Sequence, residues 1–361
     1  MFRLALSLSL TIVLCASISL RAQSPASPSP SPVAEPIDAL SPADLQRALG
    51  FIKKNYVAPA ALDDAALDRA TLDGLLNRLG YGLNLASKNA SAEPAAKSFY
   101  HEIMSDRIGY LRPGALHKND FAELDGTLQN FASKKVNVII LDLRAVAPGS
   151  DFPAASEFAQ RFVTPGQKLF TLRGTETAHD HVFISERRPA YTGFVTVLID
   201  GETMGAAEVL ASVLRAHDKA ILIGQPTAGG AVDYSELALA DGLILRVAVA
   251  AAVLPEQSAT APREVRPDLL VTLSPAVKHQ IFSQSLTSGM APFIFETDQP
   301  HLNEAALLAG TNPEIEMMQD RQQRRARGEK SLPRDTVAQR AVDVITSIGV
   351  YAKDARGGRA P

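Results

Sequence analysis

One stretch, Phe194 to Ala231, limits the choice of fold more than any other part of the chain: FVTVLIDGETMGAAEVLASVLRAHDKAILIGQPTAGGA. Phe194 to Ile199 is an apolar, β-branched run, and with helical segments on either side it predicts a strand buried on both faces. From Ala206 onward Val209, Leu210, Val213 and Leu214 fall at helical spacing, and Gly205 stands where strand must turn into helix. Strand, tight turn, helix, strand and glycine loop fit the length of one right-handed strand–helix–strand unit. Such a turn presents backbone N–H groups at a helix N-terminus, a natural anion or oxyanion site.

Short motifs on either side extend this unit in order. Ile108-Gly109-Tyr110-Leu111-Arg112 stands first; Asp120 to Ser133 then predicts a helix with Phe121, Leu124, Leu128 and Phe131 on one face, and Val136 to Arg144 a strand ending Asp142-Leu143-Arg144. Phe152 to Phe162 reads as a helix, followed by short strands near Lys168 to Leu172 and Val182 to Ser185. After the glycine loop, Ser235 to Ala240 and Leu243 to Val253 form a hairpin turned at Asp241-Gly242.

Together these motifs resemble the core of the tail-specific, or carboxyl-terminal processing, serine peptidases, in the branch that includes interphotoreceptor retinoid-binding protein modules and tricorn-type proteases. The resemblance runs from about Asp106 to Leu270 through Ile-Gly-Tyr-Leu, Asp-Leu-Arg, Thr-x-x-Ala-Ala-Glu and Pro-Thr-Ala-Gly-Gly. It implies an α/β, Clp/crotonase-like layered core with an N-terminal helical cap and a C-terminal helical extension. Members of that family place a nucleophilic serine where Thr203-Met204-Gly205-Ala206-Ala207-Glu208 has Gly205. The lysine of their Ser–Lys dyad falls at or next to Gly230 in Gly224-Gln225-Pro226-Thr227-Ala228-Gly229-Gly230. The catalytic histidine of tricorn-type members matches Arg112, which stays protonated and is no base near neutral pH. In the family's oxyanion loop this chain has Ala145-Val146-Ala147-Pro148-Gly149-Ser150, where Pro148 has no N–H and Gly149 and Ser150 are the surviving donors. Glu264, in Glu264-Val265-Arg266-Pro267-Asp268, matches an acidic residue that orients the histidine in tricorn-type members; it can instead pair with an arginine or stand as a surface carboxylate.

The reading for function is therefore a pseudopeptidase that keeps a groove for an extended polypeptide or apolar ligand. Gly149, Met204, Gly205, Ala206, Glu208, Thr227, Gly229 and Gly230 are its expected lining, and no cofactor or metal is called for. Two alternatives stand beside it. One is an active serine peptidase with a displaced hydroxyl, Ser150 on the oxyanion loop or Ser212 deeper in the helix. The other is a structural or partner-binding envelope protein. An open groove with bare N–H groups favours ligand binding, and a cleft filled with side chains favours the structural role.

The rest of the chain carries less chemistry. Arg3 and the apolar run Leu4 to Leu20 predict a secretory signal cut near Ala22, over residues 1–22, with an uncleaved membrane anchor as the alternative. The protein is thus expected to be secreted or periplasmic, touching membrane only through that segment if uncleaved. Cys15, the single cysteine, lies inside the signal, which leaves no disulfide or thiolate chemistry after cleavage. Residues 23–36 are a Pro/Ser/Ala linker. Residues 37–106 are assigned to a helical cap with helices from Ser41 and from about Leu62, and Gly80 to Asp106 is too short for a complete PDZ domain. The core spans 107–273 and a helical extension 274–361, with helices at Asn303 to Leu308, Pro313 to Arg325 and Thr336 to Tyr351. A formal net charge of −3 with no basic patch gives no sign of nucleic acid. His179-Asp180-His181 is a weak metal signal with no third ligand in view.

Overall fold

The computed structural model describes residues 37, 39–58, 62–87, 99–105, 107–149, 151–174, 180–254, 264–295 and 332–357. The expected signal, linker and helices at Asn303 to Leu308 and Pro313 to Arg325, together with His179 and Ser150, lie outside them. The chain divides into two compact units, residues 1–73 and 74–361.

The first unit holds helix α1 (Pro42–Asn55) and the start of α2 (Asp64–Leu79). Pro42 occupies the first helical turn and Ser41 caps it, its Oγ accepting from the Asp44 N–H at 3.1 Å. Asp63 does the same for α2 through the Ala66 N–H at 2.6 Å. Neither helix contains a buried residue, so the apolar stripe of Leu45, Leu49 and Ile52 that predicts a packed cap has no cover in the described structure.

The second unit runs β1 (Leu83–Ser87), β2 (Phe99–Met104), β3 (Ile108–Pro113), α3 (Phe121–Ser133), β4 (Val138–Asp142), α4 (Phe152–Ala159), β5 (Lys168–Gly174), β6 (His181–Ile184), β7 (Phe194–Ile199), α5 (Ala206–Ala216), β8 (Ala220–Gly224), β9 (Val232–Ala238), β10 (Leu243–Val253), β11 (Leu269–Leu270), α6 (Pro275–Ser288), α7 (Ala291–Ile294) and α8 (Thr336–Gly357). The main sheet has the order β11-β8-β7-β4-β3-β2, parallel except for the antiparallel pairing of β2 with β3. Its strands bury both faces. Ile139, Leu141, Val195, Val197 and Leu222 point to the layer of α3, α4 and α5, while Tyr110, Ile140, Leu198 and Ile223 point to residues of α6, α7 and α8 such as Ile281, Phe293, Val337 and Ala341. Gly109 of the Ile-Gly-Tyr-Leu motif is required by packing, because a Cβ there would run into the Phe131 ring.

A second, antiparallel sheet joins β1, β10, β5 and β6, with β9 paired to β10. Its hairpin turns at Asp241, whose φ of 57° and neighbouring Gly242 suit a tight reversal. The stretch Gly80 to Asp106, assigned from sequence to the helical cap, supplies β1 to this sheet and β2 to the main sheet. Both are short, half-buried strands whose alternation is too brief to stand out. In the C-terminal extension, helix α6 was not singled out in the sequence, whereas α8 and its cap at Asp335 lie where the periodicity places them.

Candidate functional site

The site forms where β7 ends and α5 begins. Gly205 has φ +63° and ψ −124°, a conformation for which a residue without Cβ carries least strain. Its N–H donates to Glu208 Oε2 at 2.9 Å. Glu208, on the first turn of α5, is fully buried and also accepts from the Thr227 hydroxyl, from the Gly229 N–H at 2.6 Å and from the Gly230 N–H at 2.8 Å. One carboxylate therefore fastens the glycine loop to the strand-to-helix turn. Burial pushes the Glu208 carboxyl above the ordinary range, opposed by these donors, the Thr227 hydroxyl first. A further bond from the Ala228 N–H to the Thr203 carbonyl, 3.0 Å, closes the loop onto the turn.

At the oxyanion loop it is a carbonyl that meets the elbow. Gly149 turns its carbonyl to the elbow and accepts the Ala206 N–H at 2.9 Å. A Cβ on Gly205 would overlap that same oxygen. The loop is held there in part by the Ala147 N–H, which donates to the Gly114 carbonyl at 2.8 Å. The N–H groups of Gly205 and Ala206 at the start of α5 thus already have protein acceptors. Pro148, which forbids a donor, and the small Gly149 allow this approach.

The groove itself stays open. About 220 Å³ lies between Pro148, Gly149, Met204, Gly205 and Gly230 on one side and Asn84, Val232, Tyr234, Glu236 and Arg246 of the antiparallel sheet on the other. Tyr234 is fixed by donating its hydroxyl to the Tyr81 carbonyl at 2.7 Å. The structure therefore has the open groove expected for ligand binding, but the Gly205 and Ala206 N–H groups expected to be bare have acceptors.

The other matched positions serve the scaffold. Arg112, buried, leaves β3 on the face opposite α5. Its guanidinium lies between the Tyr100 ring at 4.5 Å and the Phe282 ring at 4.4 Å and donates to Ser285 Oγ at 3.0 Å. Glu264 pairs with Arg266 at 2.9 Å rather than with Arg112. Asp142 and Arg144 of Asp-Leu-Arg form a fully buried fork, Nε to Oδ1 at 2.8 Å and Nη2 to Oδ2 at 2.6 Å. Tyr110 donates to the same carboxylate at 2.6 Å, and Arg144 continues to Asp335 at 2.8 and 3.1 Å. Burial would raise Asp142, but Arg144 outweighs it and holds the carboxyl below its ordinary range. Arg112 lowers it further, so two guanidinium groups balance the two carboxylates. Ser212 is buried within α5. Asp180 lies 3.4 Å from Arg173, and the His181 ring meets Phe183 edge-on.

Two features of the site were not anticipated. Lys278 of α6, buried, reaches Asp200 at 2.5 Å, Glu202 at 2.7 Å and the Arg144 carbonyl at 3.1 Å, bracing the turn that leads into Gly205. Its position in register with Ile281 and Ser285, both buried, is the signal that it faces inward. His117 and Asp151 approach to 4.0 Å and line, with Gly149 and Ala206, a smaller pocket of about 60 Å³. The two lie far apart in sequence in separate loops, and nothing in their local pattern announces the pair.

Parallel strands between two helical layers, with a positive-φ residue at a strand-to-helix turn and a glycine loop locked against it, define an α/β protein built on a nucleophile-elbow backbone. Residues 107–271 match the model of peptidase family S41. The chain is 28% identical over 195 residues to carboxyl-terminal-processing peptidase 2, chloroplastic, of Arabidopsis thaliana, covering 52% of this chain and 36% of that one. It is 26% identical over 211 residues to the carboxyl-terminal-processing protease of Synechocystis, covering 56% and 49%. The chain thus spans between about a third and a half of these curated relatives. Among solved structures, a photosystem II D1 C-terminal processing protease superposes with a TM-score of 0.40 at 22% identity, over 53% of this chain and 47% of that one. Among the described residues no helix is long and apolar enough to cross a membrane.

Proposed function

We propose that this chain is an exported, non-hydrolytic protein on a tail-specific protease scaffold, and that the groove between the elbow and the antiparallel sheet holds an extended polypeptide or apolar ligand. The observation that carries this reading is the Gly149 carbonyl. It takes the Ala206 N–H and fills the space a side chain at Gly205 needs. Acyl transfer requires a nucleophile, a base in reach and free oxyanion donors. At the elbow the first is a glycine, and of the third the Ala206 N–H is already used. The groove of about 220 Å³ beside it supports retained binding.

A second reading has an observation of its own. His117 and Asp151 line the pocket that Gly149 and Ala206 also line, and Ser150 is the chain neighbour of two of these residues. A displaced Ser150 nucleophile served by His117 would make the protein an active serine peptidase. The deciding experiment is cleavage of an unfolded protein substrate, with fluorophosphonate labelling, by the wild type and by Ser150→Ala and His117→Ala. No turnover and no label in the wild type, with substrate still bound, is the expected outcome. Turnover that disappears in both variants would replace the first reading with the second.

A further inference from the structure

The groove floor is a cross-strand row. Asn84 of β1, Arg246 of β10 and Glu236 of β9 are register partners, and all three line the cavity. Arg246 is the only cation among the described lining residues. Its Nε donates to Glu236 Oε1 at 2.8 Å, and no described acceptor meets its two terminal nitrogens. A half-exposed pair of this kind contributes little by itself, whereas a guanidinium whose forked end meets no described acceptor is suited to bidentate capture of a carboxylate. From Val232, beside the elbow, to Glu236 the strand advances roughly 14 Å at about 3.4 Å per residue, the length of a few extended peptide residues. Met204, Val232 and Tyr234 line the path between these ends.

Resting on the groove reading above, we propose that Arg246 is the specificity anchor of the groove. It takes a carboxylate of an extended peptide whose less polar residues lie over Val232, Tyr234 and Met204. The carboxylate comes from the peptide's C-terminus or from an acidic side chain. Glu236 orients the guanidinium through Nε and weakens the site by its own like charge.

The test is calorimetric titration of the full mature chain with three unlabelled, N-acetylated, otherwise uncharged peptides of small and aliphatic residues. One has a free C-terminal carboxylate, one is amidated with a single internal Glu, and one is amidated with no carboxylate. The wild type should bind at least one carboxylate-bearing peptide about tenfold tighter than the uncharged one, and the better of the two identifies the source of the carboxylate. Arg246→Gln should erase that preference, Arg246→Lys should keep part of it, and Glu236→Gln should enlarge it. Equal affinity of the wild type for all three peptides, or a preference that survives Arg246→Gln, overturns the anchor while leaving the groove in place. Absence of binding to any peptide, by a wild type whose circular dichroism is that of a folded chain, overturns the groove reading itself.

Discussion

At the scale of single residues, the site is governed by which oxygen occupies which space. Gly205→Ser supplies a hydroxyl, but its Cβ meets the Gly149 carbonyl and adopts a conformation costing about 1–3 kcal/mol in a residue other than glycine. The expected outcome is no hydrolysis, no fluorophosphonate labelling and a lowered Tm; labelling by this single variant would show that the loop yields freely. Glu208→Gln trades a carboxylate with four donors for an amide whose NH2 must face N–H groups. A loss of about 2–4 kcal/mol in urea unfolding is expected. The Asp142 carboxyl sits below its ordinary range, so its contribution is present above the unfolded value of about 4 and is lost as pH falls through the lower folded value. Glu208, held above its range, acts with the opposite sign, its share declining as pH rises through its folded value. The wild-type Tm should therefore drop below about pH 4, and Asp142→Asn should show a shallower drop from a lower plateau. Gly205, Gly230, Glu208 and Thr227 are legible in the sequence because each sits inside a contiguous motif. The direction of the Gly149 carbonyl is not, since peptide orientation in a loop leaves no mark on residue type.

At the scale of elements, most strands and helices of the core were readable from period and turn chemistry, and β3 from the resemblance. β7 matches its predicted bounds, and α3, α5 and the β9–β10 hairpin fall within a few residues of theirs. What fastens the elements was hidden by distance along the chain. Asp335 caps α8 through the Ala338 N–H at 2.9 Å, which its position predicts, and also grips Arg144 across 191 residues, which no local pattern predicts. Asp335→Asn leaves a cap but removes the charge that Arg144 requires in a buried site. Breaking such a pair costs about 3–5 kcal/mol, and hydrogen exchange across residues 336–348 should accelerate more than that of β4 or β7. Equal protection in wild type and variant would mean that apolar packing of Val337, Ala341 and Ile345 alone holds the helix. Lys278 shows the converse case, a charge that the helical register marks as buried but whose acceptors only the fold supplies.

At the scale of the whole molecule, burial is distributed unevenly. The second unit encloses both apolar clusters, while α1 and α2 contain no buried residue. Local opening free energy follows buried contacts, so amides of residues 42–55 should exchange orders of magnitude faster than those of β4, β7 and α5. Slow exchange there would reveal cover for the Leu45, Leu49 and Ile52 stripe. The layered core was legible through the order of its family-like motifs, with the apolar period of its helices and strands in support, because both survive without knowledge of neighbours. It misassigned Gly80 to Asp106 because two brief strands, each feeding a different sheet, carry too few alternations to register. The Gly149 carbonyl also bears on laboratory evolution. A nucleophile at position 205 is useless while the loop stays in place, and a withdrawn loop is useless without the nucleophile. Libraries that vary one codon at a time pass through no intermediate in which a side chain at 205 has room, so recruiting this elbow takes a change in the loop and in the elbow together.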